Sequence, residues 1–276
     1  MRSRVAALLL LALLAPTASA MPVGLDARGA PTAAAEGARP GFATHWAGAW
    51  SVGDGWRGLE ADLAAARATG AVPLVHWYYW GDSISPACVE RGCAERAAWE
   101  WEALTGALAL RLRDAMHGAR VVVVLENEFN KNGIEREEFA PRFDAMLAAR
   151  AAQLRAVPGV EVALGFGGWG EGEWGRFPAA LAATDHVGFQ IMRAATRDSE
   201  ESYRAAPDRV DALLDAAREV APGKRALLYD LALSSWPDAS GESMQAETLA
   251  AMMARRASWE SRGLAGIAYR ELRDNP

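Results

Sequence analysis

The chain has 276 residues, a formal charge of −6 and a hydrophobic fraction of 51%. A chain of this length can bury a large core without covalent staples. Its acidic balance, with no basic cluster, argues against nucleic acid or an anionic membrane as partner.

Residues 1–20 read as an export signal. Arg2 and Arg4 form a basic start, "VAALLLLALLA" is apolar but short for a membrane span, and Ala18-Ser19-Ala20 supplies a small-x-small cleavage pattern. A single membrane anchor is the alternative; no Cys follows the apolar run, which weighs against a lipoprotein. The expected product is a secreted or periplasmic monomer, free of the membrane after cleavage, with a formal charge of −8. Residues 21–40, rich in Ala, Pro and Gly, read as a flexible leader, and residues 41–276 as a single domain.

Apolar runs of strand length then alternate with amphipathic helices. Strands are expected at 41–46, 71–80, 120–128, 160–168, 185–192, 225–233 and 263–272. Helices are expected at 56–70, closed by Gly70, and at 94–119, closed by Gly118, then at 134–157, 171–184, 199–220 and 242–262. Near-continuously apolar strands alternating with helices imply a parallel sheet covered by helices. A (β/α)8 TIM barrel, regular or irregular, is the first expectation. Seven strands are visible, so the eighth is to be sought in the leader or in the long segment 81–119. A doubly wound open sheet is second, because no Gly-rich phosphate fingerprint follows any strand. The two cysteines, Cys88 and Cys93, suit a small disulfide loop in an oxidising compartment; "CVERGC" offers only Glu90 as a further metal ligand.

In a parallel barrel the active site forms at the C-terminal strand ends. Six strands here turn polar at that end, most abruptly in "VVVVLENEFNKNG" (121–133). Alternation of side chains in "RALLYDLAL" groups Leu227, Tyr229, Leu231 and Leu233 against the helices and directs Asp230 into the lumen. The same reasoning sends Val160, Val162, Leu164, Phe166, Val187, Phe189 and Ile191 outward, and Gln190 and Trp169 inward. Glu126 and Glu128 share one parity, so both are expected in the lumen, one layer apart.

Two carboxylates aimed at a common cavity are the minimum apparatus of glycoside hydrolysis: one donates a proton to the leaving oxygen, the other attacks the sugar or activates water. The competing reading for each acid is an ion pair with Arg193, Arg225 or Arg270. Of 11 tryptophans, Trp46, Trp77, Trp80, Trp169 and Trp236 fall at strand ends, where an indole face suits the C–H face of a sugar ring. Trp99, Trp101 and Trp259 lie on helices and read as packing residues. A metal-dependent deacetylase using His45 or His76 with Asp82 is a weaker reading, because no ligand-spaced pair exists among four scattered His. No metal and no cofactor is expected.

"LENEFN" resembles the acid/base segment of the clan A glycoside hydrolases, (β/α)8 enzymes with Asn-Glu at the end of the fourth strand. It is also similar to the His-Glu-Met-Asn segment of glycoside hydrolase family 26, with Asn127 in the place of His. The resemblance implies that Glu128 is the acid/base and that Asn127 binds a sugar hydroxyl beside the scissile bond. It implies a nucleophilic Glu at the end of the seventh strand. Asp230 occupies that slot, one methylene shorter, with Glu271 as substitute. The expected activity is hydrolysis of a polysaccharide, retaining by this likeness, with Glu126, Asn127, Trp46, His76, Trp80, Trp169, Gln190 and Trp236 as candidate substrate contacts. A carbohydrate-binding barrel without turnover is the alternative that the Asp motivates.

Overall fold

The computed structural model describes residues 21–270, except 28, 36, 38, 82–83, 85–92, 195–197 and 236–238. Eight parallel strands close into a barrel in chain order: β1 (Val23–Asp26), β2 (Phe42–Ala47), β3 (Val72–Trp77), β4 (Val121–Leu125), β5 (Val160–Phe166), β6 (His186–Ala194), β7 (Arg225–Ser234) and β8 (Leu264–Tyr269). Helices follow the strands: α1 (Gly29–Ala35), α2 (Arg57–Thr69), α3 (Cys93–Met116), α4 (Ala140–Arg155), α5 (Pro178–Ala183), α6 (Glu200–Arg204), α7 (Ala206–Val220) and α8 (Ala239–Ser261). The expected helices at 171–184 and 199–220 are each divided. Pro178 and Pro207 sit in the first turns of α5 and α7, where the missing N–H costs nothing and a fresh helix starts.

The leader is not a flexible tail. It carries β1 and α1, and β1 closes the barrel by pairing with β2 on one side and β8 on the other. The barrel therefore begins at Val23 rather than at residue 41. The short "VGLD" hid because four residues are too few to show a period.

Inside the barrel, Phe42, Leu74, Val122, Val124, Ala163, Leu227, Tyr229 and Ala268 form a packed core. The opposite faces of the strands pack against the helices through a larger cluster that includes Val123, Leu125, Val162, Leu164, Phe166, Phe189, Leu228, Leu231 and Leu233. The outward sets expected on β5 and β6 are all in that outer layer.

Strand β7 departs from simple alternation. Leu227 and Tyr229 face the lumen and Leu228 faces the helices, the reverse of the expectation. The cause is a bulge: Phe189 pairs with Leu228, but the next residue, Gln190, pairs with Asp230. One extra residue on β7 shifts its parity, so Tyr229 and Asp230 are both brought to the inner side, and Leu231 and Leu233 point outward as expected. Gly188 on β6 makes room: a β-carbon there would lie 2.8 Å from Tyr229 Cδ1.

Candidate active site at the barrel mouth

The site is assembled from the ends of β2, β3, β4, β5, β6, β7 and β8. At the end of β4 the chain leaves the strand through two non-glycine residues with left-handed backbone, Glu126 (φ 52°) and Glu128 (φ 57°). Their side chains part company as a result. Gly165 on β5 permits this turn to pass close by, since a β-carbon there would lie 2.8 Å from the Glu126 carbonyl oxygen.

Glu126 is not the lumen neighbour that parity predicts. Its carboxyl is buried and accepts hydrogen bonds from the backbone N–H of Tyr79 (3.1 Å) and Trp80 (3.2 Å) beyond β3. Burial pushes its pKa up to about 8; those two N–H donors and the charge of Lys131 pull the other way and do not cancel it. It anchors the β3 loop.

Glu128 reaches the mouth. Its Oε1 accepts from Gln190 Nε2, its Oε2 from Lys131 Nζ at 3.3 Å, and its backbone N–H donates to the Tyr229 hydroxyl at 3.3 Å. That hydroxyl in turn donates to the Phe166 carbonyl at 2.8 Å, tying the ends of β4 and β5 to β7. Lys131 also donates to the Tyr78 hydroxyl at 2.8 Å.

Asp230 faces the lumen, as expected, and is 1% exposed. Both its oxygens accept from Arg270, with Nε at 3.0 and 3.1 Å and Nη2 also on Oδ2. Of the three arginines that could pair with a site acid, Arg270 does so with Asp230. Arg193 and Arg225 instead donate to the carbonyls of Met192 and Leu264. Burial raises the Asp230 pKa, Arg270 pulls it back, and the charge of Glu128 adds to the rise. The two acids therefore share one electrostatic environment, bridged by Gln190, which holds Glu128 and is the strand partner of Asp230.

Beneath the mouth, the His76 ring stacks under Trp46, with centroids 4.4 Å apart and planes within 5°. His76 Nδ1 lies 2.7 Å from Asn127 Nδ2; the amide is the donor, so the ring proton sits on Nε2. Burial first, then Arg270, lowers the His76 pKa to about 3, so the ring stays neutral. Asn127 is buried, and its Oδ1 has no hydrogen-bond partner among the described residues. Arg270 also lies 5.2 Å over the Trp46 ring. His45 faces away from the lumen, with Nδ1 2.6 Å from Asp62 of α2, which removes it from any metal site in the mouth.

The tryptophans divide. Trp46 and Trp169 stand at the mouth, and Trp169 is 40% exposed. Trp80 does not: it is buried against Trp101 and Phe143, outside the barrel wall, because the loop held by Glu126 turns it toward α3. Trp77 likewise packs outward and donates to Thr105 Oγ1 at 3.0 Å. Glu271 and Trp236 lie outside the described residues, as do Asp82, Cys88 and the side chain of Cys93.

Several residues at the mouth were not among the candidate site residues named from the sequence: Tyr78, Lys131, Tyr229 and Asn130. Lys131 and Asn130 were in plain view, three and two residues beyond Glu128. Asn130 spans two loops, its Oδ1 accepting from Gly167 N at 2.5 Å and its Nδ2 donating to the Trp169 carbonyl at 2.9 Å.

A glycoside hydrolase family 26 β-mannanase from Bacteroides ovatus superposes with a TM-score of 0.67 at 16% identity, over 97% of this chain and 85% of its own. The fold is that of the clan A glycoside hydrolase barrels. A family 26 protein from Muricauda sp. gives 0.61 at 12% identity, over 97% and 83%. A modular endo-β-1,4-mannanase from Cellulomonas fimi gives 0.61 at 12%, over 97% and 69%. No family model matches the chain, and no curated protein sequence does. At these identities the clan A likeness is one of fold alone.

Proposed function

We propose that the protein is a glycoside hydrolase that cleaves a β-linked polysaccharide with two carboxylates. Glu128 acts as general acid and base, and Asp230 as the second carboxylate. The observation that carries this is the convergence of these two acids, from β4 and β7, on one mouth, with Gln190 between them. The family 26 mannanases that share the fold support the polysaccharide substrate.

In the proposed reaction Glu128 gives its proton to the glycosidic oxygen as the bond to the anomeric carbon breaks. Asp230 bonds to that carbon, and Glu128 then takes a proton from the water that displaces Asp230. Arg270 favours the carboxylate form of Asp230 that attack needs, against the burial that raises its pKa. Lys131 and Gln190 occupy the two oxygens of Glu128, so one has to swing aside as sugar enters; Lys131, on its flexible stem, is the movable one. Asn127 Oδ1 is the acceptor available to a sugar hydroxyl. Neighbouring strands lie about 4.8 Å apart, and Asp230 is one strand step from the residue that holds Glu128, which favours the short carboxyl separation of retaining enzymes.

The test is Glu128→Gln, assayed for new reducing ends on β-mannan, xylan and galactan. A loss of about 10²–10⁴-fold, with circular dichroism unchanged, is expected. Intact hydrolysis by the variant sinks the assignment, and wild-type binding without reducing ends makes the chain a carbohydrate-binding barrel instead. Proton NMR of the first product gives the anomer, and inversion would overturn the attack by Asp230. Export with loss of residues 1–20, and a Cys88–Cys93 disulfide, belong to the same proposal; mass spectrometry of the mature protein with and without reductant tests both.

A further inference from the structure

Two tryptophans at the mouth are built alike. Trp50 stands two residues after Gly48, in the 3-10 turn Ala49–Val52 that leaves β2. Trp169 stands two residues after Gly167, where the chain leaves β5. A β-carbon added to Gly48 would lie closest to Trp50 Cζ3, with Cη2 at 2.5 Å and Cε3 at 2.7 Å on either side of it; one added to Gly167 would lie closest to Trp169 Cζ2, with Cε2 and Cη2 both at 2.6 Å beside it. In each case the two ring atoms that flank the nearest one are almost as close as it is, and an in-plane approach would hold them well back, so each indole lays its face, not its edge, on the glycine. The absence of a side chain is what lets the ring lie flat.

The opposite faces are open. Trp50 is 56% exposed and Trp169 is 40% exposed, so neither ring is a core residue that happens to reach the surface. Trp169 is further fixed by its Nε1, which donates to the Asn130 carbonyl at 2.9 Å, in the same turn as Glu128. In the closed strand order β2 and β5 are three steps apart, with β4 and its Glu128 between them. At about 4.8 Å per step, a single sugar ring does not touch both.

We propose that Trp50 and Trp169 are stacking plates of one extended binding row. A β-linked glycan chain then crosses the mouth with sugar units on both sides of Glu128, which makes the action endo. The cutting point rests on the hydrolase reading, but binding tests the plates independently. An indole face offers an apolar plate to the C–H face of a pyranose ring, and a plate held flat loses little freedom when the sugar arrives.

The probes are β-1,4-linked manno-, xylo- and galacto-oligosaccharides, from disaccharide to hexasaccharide, titrated calorimetrically into the full chain. Trp50→Ala and Trp169→Ala are each expected to weaken hexasaccharide binding about 2- to 12-fold, with a loss that grows with chain length. Gly48→Ala and Gly167→Ala, which keep the indole but tip it, are expected to do the same. Trp99→Ala, on the outer face of α3 and 71% exposed, serves as control. Hexasaccharide binding by both plate variants equal to that of Trp99→Ala overturns the inference, as does a wild-type chain that binds none of the probes. Binding that the plate variants lose, without any new reducing ends, leaves the plates standing and removes the hydrolase reading.

Discussion

Glu126→Gln gives a sharp test of the electrostatics behind the mouth. The Glu126 carboxyl titrates near pH 8 in the fold, against 4.5 for an ordinary glutamate. Because the folded pKa is the higher one, folding favours the protonated form. The stability Glu126 allows is fully present below pH 4.5 and is lost as pH rises toward 8. Each pH unit between the two values is worth about 1.36 kcal/mol, so the penalty grows to roughly 5 kcal/mol across that window, an upper bound once the surroundings relax. The glutamine side chain cannot ionise and escapes this penalty, while giving up one backbone acceptor at about 1 kcal/mol. Urea unfolding of both proteins from pH 4 to pH 9 should therefore show curves that cross. The variant is slightly the weaker at the acid end and clearly the stronger above pH 7. His76 and every other titrating group are common to both proteins and cancel in the difference. Parallel curves would show that Glu126 is not held against its charge, and that the two N–H donors from Tyr79 and Trp80 outweigh burial.

Arg270→Met should cost about 3–5 kcal/mol, because it strands the charge of Asp230 in a nearly dry position; adding Asp230→Asn should restore much of the loss, and additive effects in urea unfolding would refute the pair. Asn130→Ala removes both side-chain ties between the Glu128 turn and the β5 loop and should cost about 1–3 kcal/mol; a melting temperature equal to wild type would deny it that role.

The barrel could be read from the sequence wherever a strand was long and buried on both faces, because hydrophobic runs such as "VVVVL" carry their own signal. What escaped was decided by pairing between distant segments. Strand β1 is four residues long, and its partners Ala43 and Ile267 lie far along the chain. The β7 bulge is set by the register against β6, so no pattern within "RALLYDLAL" reveals that Tyr229 joins Asp230 on the inner side. Asp230 was placed correctly because the outward Leu231 and Leu233 follow the bulge. The division of the tryptophans was equally non-local: Trp80 follows a strand end as Trp169 does, and only the grip of Glu126 on its backbone sends it outward.

The same non-local logic explains the two glutamates that flank Asn127. Alternation would have stacked Glu126 and Glu128 in one lumen, where each charge raises the cost of the other. Left-handed backbone at both residues breaks the alternation, at a cost of roughly 1–3 kcal/mol each. Such strain persists only where the surroundings over-determine the shape, and here they do. Tyr79 and Trp80 hold the first carboxyl, Gln190 and Lys131 the second, and the Tyr229 hydroxyl takes the N–H of Glu128. The turn thereby separates an anchor from an acid within three residues. Asn130 then hands its position on to Trp169, so the acid and the plate beside it move as one piece.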